Sequence, residues 1–546
     1  MVERIEMPLW GWGYADHVRQ LSPSAESQLD ERLGLSDTAS SPAAISEFVI
    51  SPSRLSEGQI DRLARVVGGS SVSRDPVKRL LRSVGKSYPD LVRMRSGGAV
   101  MLPDAVVSPG SSEQVDELLR ACVAESIAVV PFGGGTSVVG GVDPLLGSHS
   151  AVISLDLGSM VGLAKLDADS RIATFLPGTN GPQVEELLNP YGLTLGHFPQ
   201  SFEFATVGGF VATRSAGQAS TGYGRIDKNV VGLALVAPTG VTALKSMPGS
   251  AAGPDLRQLL VGSEGTLGVI TEASLSVAKL PDMTDDRGWF VKSFAAGRAL
   301  LQDLEQAGCA PAVSRLSDEQ ETEVSLLMAG GGKLQTALSG YLRLRRVQGG
   351  CLMITSFEGS RQSVEAQLRA ALPIIHRHGA VAVGHGIGRA WRKGRYSGPY
   401  LRDVLMGRGL LVDTLETAAP WSDLDRLYNS VGSALRENLA SFGGDPIVMC
   451  HVSHLYQSGA SLYFTWIGRQ PGVTAEEQIA NWQKVKSAAG DGIVAGGGTI
   501  THHHAIGHDH AAWMEAEVGS QGLALLRAAK SELDPAGIMN PGKLLP

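Results

Sequence analysis

Over the first 95 positions apolar residues are sparse and scattered among serines and charges, with helix-like segments such as 59–68 and 76–83. That stretch reads as a helical extension packed on a larger body. From about residue 98 the texture changes. Ser111-Ser112-Glu113-Gln114 is a capping signal, and Val115, Leu118, Leu119, Cys122 and Val123 follow it at helical spacing. Ile127–Val130 is a short continuous apolar run, as a buried strand requires, and it leads straight into Pro131 and three glycines. Further strand-like runs fall at 151–155, 171–176 and 230–237, and Gly181-Pro182 opens a helix through Leu188. This is an α/β texture over 98–281. Pro281-Asp282-Met283 marks a boundary, strand and helix signals mix from 284 to about 470, and one amphipathic helix is predicted near 511–532.

Composition narrows the class. The chain has 546 residues, 43% of them apolar, and a net charge of −7 without long runs of either sign. A chain of this length buries a large core, and its charge gives no reason to expect nucleic acid. Cys122, Cys309, Cys351 and Cys450 stand far apart without a CxxC pair and read as buried thiols in a reducing compartment. No run approaches 18 apolar residues, and the N-terminus lacks a charged-then-apolar leader, so a cytoplasmic protein is expected. Glycine is the unusual residue, at 68 of 546. Its clusters at 133–135, 208–209, 262–268, 384–388 and 490–498 suggest loops bent around one large ligand. Gly384-His-Gly-Ile-Gly388 lacks a clear strand-then-helix context and reads as a turn; 490–498 reads as a loop.

Pro131, Phe132, Gly133, Gly134, Gly135, Thr136 and Ser137 form the first loop, whose successive backbone N–H groups suit a pyrophosphate. It is neither a Walker A loop nor a GxGxxG fingerprint, since Val138 stands where the third glycine would fall. Gln200, Ser201, Phe202, Glu203, Phe204, Ala205 and Thr206 follow, then Thr213, Arg214, Ser215 and Ala216. Glu264, Gly265, Thr266, Leu267, Gly268, Val269 and Ile270 close the series. This succession resembles the PCMH-type FAD-binding domain of the vanillyl-alcohol-oxidase superfamily. The resemblance implies an α+β fold: an N-terminal helical extension (1–97), an FAD domain of two α/β subdomains (98–281), an α+β substrate cap (282–489) and a C-terminal segment returning to the flavin (490–546). The four loops would bind FAD, non-covalently.

The second half narrows the resemblance. Tyr400-Leu-Arg-Asp403, Asp413-Thr-Leu-Glu-Thr417, Tyr456-Gln-Ser-Gly459 through Phe464, and Thr501-His-His-His504 look like alkylglycerone-phosphate synthases, with Trp10-Gly-Trp-Gly-Tyr14 at the N-terminus. That family exchanges the acyl chain of acyl-dihydroxyacetone phosphate for a fatty alcohol through a flavin N5 adduct. The resemblance implies phosphate binding by Arg402, acid/base work by Tyr463, a further needed arginine at Arg315, and His502, His503 and His504 around the substrate oxygens. It places His197 near the flavin and Thr414 among the catalytic groups. It also implies a homodimer and lipid substrates compatible with peripheral contact with a membrane face. The alternative is an FAD-dependent 2-hydroxy-acid dehydrogenase or oxidase, and a third reading is a flavoprotein without catalysis. Consecutive histidines on an extended segment alternate faces, so at most two converge, and no metal is expected. Where the family usually has Gly-His-Glu-Pro-Asp-Ser, this chain has Gly196-His-Phe-Pro-Gln-Ser201, which leaves the polarity beside the flavin and the choice of substrate open.

Overall fold

The structure is a computed structural model that describes residues 5–17, 19–36, 40–328 and 333–546. The first four residues, read above for a leader, lie outside the described residues. Among the described residues no helix is long and apolar enough to cross a membrane.

The FAD-binding half is built on two main sheets, with a small two-stranded pair of Leu193–Thr194 and Ala278–Lys279 beside them. Ala105–Val107, Ala151–Asp156 and Ile127–Phe132 run parallel, with Val72–Ser73 antiparallel at the edge. Ser111 caps the helix Ser112–Glu125 through the N–H of Gln114, and Val115, Leu118, Leu119 and Cys122 bury its inner face against this sheet. A five-stranded antiparallel sheet follows, in the order Gly240–Leu244, Val230–Ala237, Val269–Ser276, Ile172–Phe175, Leu163–Asp167. The cap is a seven-stranded antiparallel sheet. Its order is Val381–Gly384, Met283–Val291, Cys351–Gly359, Val313–Ser317, Ile447–Tyr456, Gly459–Arg469, Leu410–Pro420.

One face of the cap sheet buries Trp466, Phe464, Leu462 and Val452 against helices. The opposite face carries Arg315, Ser317, Met449, His451, Tyr463, Thr465, Val412 and Thr414 and walls a cavity. Strand alternation alone produces this division. A register shift between Val452 and Leu455 interrupts it, and consecutive Ser453 and His454 both reach the cavity.

Two glycine clusters differ from expectation. Residues 490–496 belong to the helix Ala475–Gly496, so position 490 falls inside an element. Here glycine permits contact rather than turning: a Cβ on Gly490 would lie 2.5 Å from the Trp513 ring, and one on Gly496 2.9 Å from Leu427. Gly384, at φ +93°, precedes a helix His385–Gly394 rather than a turn. The chain's end returns to the FAD half, where Met539 bridges Val129 beside the first glycine loop.

Candidate active site

The FAD-binding half and the cap enclose one cavity of about 1490 Å³. One side is made of flavin-type loops: Pro131 through Ser137, Gln200, Ser201, Ala205, Thr206, Thr213, Ser215, Ala216, Glu264, Gly265, Gly268 and Ile270. The other predicted loop residues do not line it. Arg214 is held outward by the carbonyls of Val261 and Gln258, and Thr266 bonds the Ser263 carbonyl. Leu267 and Val269 are core residues. Phe202 stacks on Tyr396, while Glu203 and Phe204 face a smaller cavity beneath the N-terminal segment.

Arg402 projects into the cavity from the helix Gly398–Gly407. Its Nη1 donates to the Lys86 carbonyl at 2.9 Å, whereas Nε and Nη2 are sealed from solvent without a hydrogen-bond partner in the protein. Buried donors of this kind are costly unless a ligand accepts from them. The N-terminal Trp10–Tyr14 motif fixes this helix: Trp12 N donates to Asp403 at 2.6 Å and Tyr14 N to Tyr400 at 3.0 Å. Gly13 lies at φ +76° directly against the Tyr400 ring.

Tyr463 stands mid-strand and donates its hydroxyl to Thr414 Oγ1 at 3.1 Å. Burial pushes its pKa up to about 12, so the phenol carries its proton. Its ring stacks on His451 at 4.9 Å, lies 6.1 Å from His503 and meets His504 edge-on at 5.6 Å. Residues 501–504 form a bend, not an extended strand. His503 and His504 line the cavity; His502 lies behind, with Nε2 2.5 Å from Tyr456 Oη. Burial drives all three imidazoles well below their usual pKa, so they are neutral.

Two buried carboxylates suspend this bend. Glu416 accepts from Thr501 Oγ1 at 2.7 Å and from the backbone N–H groups of His502, His503 (2.9 Å) and His504 (2.6 Å). Glu264 accepts from Ile506 N at 2.8 Å and Gly507 N at 2.7 Å, tying the last flavin loop to the histidines. Burial raises the Glu264 pKa to about 7 despite those bonds.

Arg315 lines the cavity too, with Glu321 and His451 on its guanidinium. His197 does not line it. That ring is buried, with Nε2 3.1 Å from Ser215 Oγ and its edge on Phe210. Sequence reasoning missed Glu321, His451 and His454, and gave Glu416 no role beyond its place in the Asp413–Thr417 motif. The signal for the histidines was their presence, with Ser453, in the otherwise apolar run 447–455; for the glutamates no local signal exists. Two triads, His454–His502–His503 and Glu416–His503–His504, each bring donor atoms within 4.8 Å. His454 is engaged by Gly217 O and Ser461, and Glu416 by four donors.

The cavity extends along an apolar wall that includes Val324, Met328, Leu338, Leu352, Ile354 and Val383. Fold, loops and cavity define a PCMH-type FAD-linked protein. The FAD binding domain family model matches residues 103–243, and the model of the C-terminal domain of FAD linked oxidases matches 287–544. The chain is 33% identical to an alkyldihydroxyacetonephosphate synthase of Trypanosoma brucei brucei over 89% of its length and 80% of that protein's. It is 30% identical to the uncharacterized FAD-linked oxidoreductase YgcU of Escherichia coli O157:H7, over 89% and 98%. A solved alkyldihydroxyacetonephosphate synthase superposes with a TM-score of 0.85 at 27% identity, covering 99% of both chains. The chain belongs to the alkyldihydroxyacetonephosphate synthase family within the FAD-linked oxidase superfamily.

Proposed function

We propose that this protein replaces the acyl chain of an acyl-dihydroxyacetone phosphate with a long-chain alcohol. The observation that carries this reading is the buried guanidinium of Arg402, with two donors that have no hydrogen-bond partner in the protein, beside a cavity that also holds protonated Tyr463, two neutral histidines and a long apolar wall. The fork matches a phosphate dianion, bidentate and permanently charged. The apolar wall suits an aliphatic chain, which a small 2-hydroxy acid would leave unfilled.

The loops fit a flavin dinucleotide: glycine backbone, Thr136, Ser137, Thr206 and Thr213 offer donors along one side of the cavity. FAD bound along these loops would supply a reactive flavin nitrogen to the exchange. Tyr463, kept protonated and hydrogen-bonded to Thr414, serves as the proton donor at the reacting C1 oxygen. His503 and His504 are neutral at pH 7 and hydrogen-bond substrate oxygens without adding charge. The fatty acid leaves with its ester oxygen, the alcohol supplies the ether oxygen, and the alcohol's proton is released, so no net redox change occurs.

The test is incubation of the FAD-loaded protein with palmitoyl-dihydroxyacetone phosphate and hexadecanol. The expected products are the alkyl ether and palmitate in equal amounts. Absence of ether, together with rapid flavin bleaching by D-lactate or glycolate under anaerobic conditions, would replace this reading with 2-hydroxy-acid oxidation.

A further inference from the structure

The cavity holds two guanidinium groups in different electrical states. Arg402 keeps two buried donors without a hydrogen-bond partner in the protein. Arg315 is compensated: Nη2 donates to Glu321 Oε1 at 2.6 Å, and Nη1 lies 2.9 Å from His451 Nε2. A guanidinium can only donate. His451 Nε2 therefore accepts, and its Nδ1–H, 3.1 Å from Glu321 Oε2, faces the carboxylate. Burial, then the adjacent Arg315, keep the His451 pKa low, while His451 and Arg315 overcome the burial penalty and hold Glu321 at about 2. The three groups sum to zero charge.

Their position is as informative as their charge. The helix Glu319–Met328 turns Glu321, Val324, Ser325 and Met328 toward the cavity, positions that share one helical face. The face that compensates Arg315 thus continues directly as apolar wall. His451 also stacks on Tyr463 and stands opposite it in register, so Arg315 borders the acid/base group. A ligand with its anionic end at Arg315 would lay an aliphatic chain along Val324 and Met328.

We infer that Arg315 is the subsite for the carboxylate of the departing fatty acid, and that Glu321 and His451 are positioning residues that orient its guanidinium while compensating its charge. The assignment rests on the proposed exchange reaction. A departing carboxylate needs donors as its negative charge develops. An uncompensated guanidinium in a low-dielectric cavity would then retain the product, since Coulomb attraction there is weakly screened. The phosphate, which must stay through both halves of the reaction, falls to the uncompensated Arg402.

The test is equilibrium binding of palmitate and of hexadecanol to the FAD-loaded full-length protein. Glu321→Gln should tighten palmitate binding at least about tenfold and leave hexadecanol unchanged. Arg315→Gln in that background should abolish the gain. Unchanged palmitate affinity, or an equal gain for hexadecanol, overturns the inference. Wild type decides the matter if the variant does not fold: palmitate should bind within about tenfold of hexadecanol, and a preference above about a hundredfold overturns it. These measurements involve no turnover. A palmitate response without ether formation sinks the exchange reaction but supports a carboxylate subsite; ether formation with unresponsive palmitate binding sinks the subsite alone.

Discussion

Glu416 and Tyr463 stand directly opposite each other on adjacent strands of the cap sheet. From this single rung, one side chain holds the backbone of the three histidines and the other presents its phenol beside their rings. The proposed acid/base group and the histidine bend are therefore placed by one piece of sheet register.

Tyr463→Phe should lower exchange turnover by about 10² to 10⁴, the usual contribution of a positioned proton donor. The only hydrogen bond given up is that to Thr414, worth about 1 kcal/mol. FAD content and thermal stability should therefore remain close to wild type. A variant with wild-type turnover would make Tyr463 a packing residue.

Arg402→Gln should weaken binding of the phosphorylated substrate by about 1.5–3 kcal/mol, roughly 10- to 100-fold, read in KM or in binding to inactive protein. Arg402→Lys should recover only part of that loss, because an ammonium keeps the charge without the fork. The flavin spectrum should not change in either variant. Equal KM for wild type and Arg402→Gln would remove the phosphate from this site.

Glu416→Ala strands the backbone N–H groups of His502 and His503 and the Thr501 hydroxyl, while His504 N keeps Thr501 Oγ1 at 3.2 Å, at a cost of about 2 kcal/mol or more. Glu416→Gln retains one carbonyl acceptor and should cost less. Denaturation should rank wild type above Gln above Ala, and activity should fall in the same order. Indistinguishable melting curves would show that the histidine bend holds itself.

Stability should fall as pH drops below about 6.5. His197, His504 and His510 are held near pKa 3 and His454 near 4, in each case first by burial. Between those values and 6.5 the unfolded chain binds protons that the folded chain refuses, so the stabilisation present above 6.5 is lost progressively toward pH 3. At pH 5 each such group costs about 2 kcal/mol. His510, whose Nδ1 meets only the Ala505 carbonyl, is the one to replace: His510→Asn should flatten the fall measured by thermal melting from pH 7.5 to 4.5. A parallel curve for the variant would refute this origin.

The sequence by itself determined the parts whose physics is local. A strand running into three glycines, a Ser111 cap followed by an apolar helical face, and four loops in order were readable because each demand falls on adjacent residues. Arg402 and Tyr463 were legible through the motifs around them. Tertiary structure decided what those residues meet. Gly490 and Gly496 look like loop glycines, yet they serve helix contacts with Trp513 and Leu427, which no local pattern encodes. Glu416 meets histidines 86 to 88 positions away, and Arg315 meets His451 across 136. A buried polar side chain is defined by its partner, and that partner is set by sheet register and by how two halves of the chain close on one cavity.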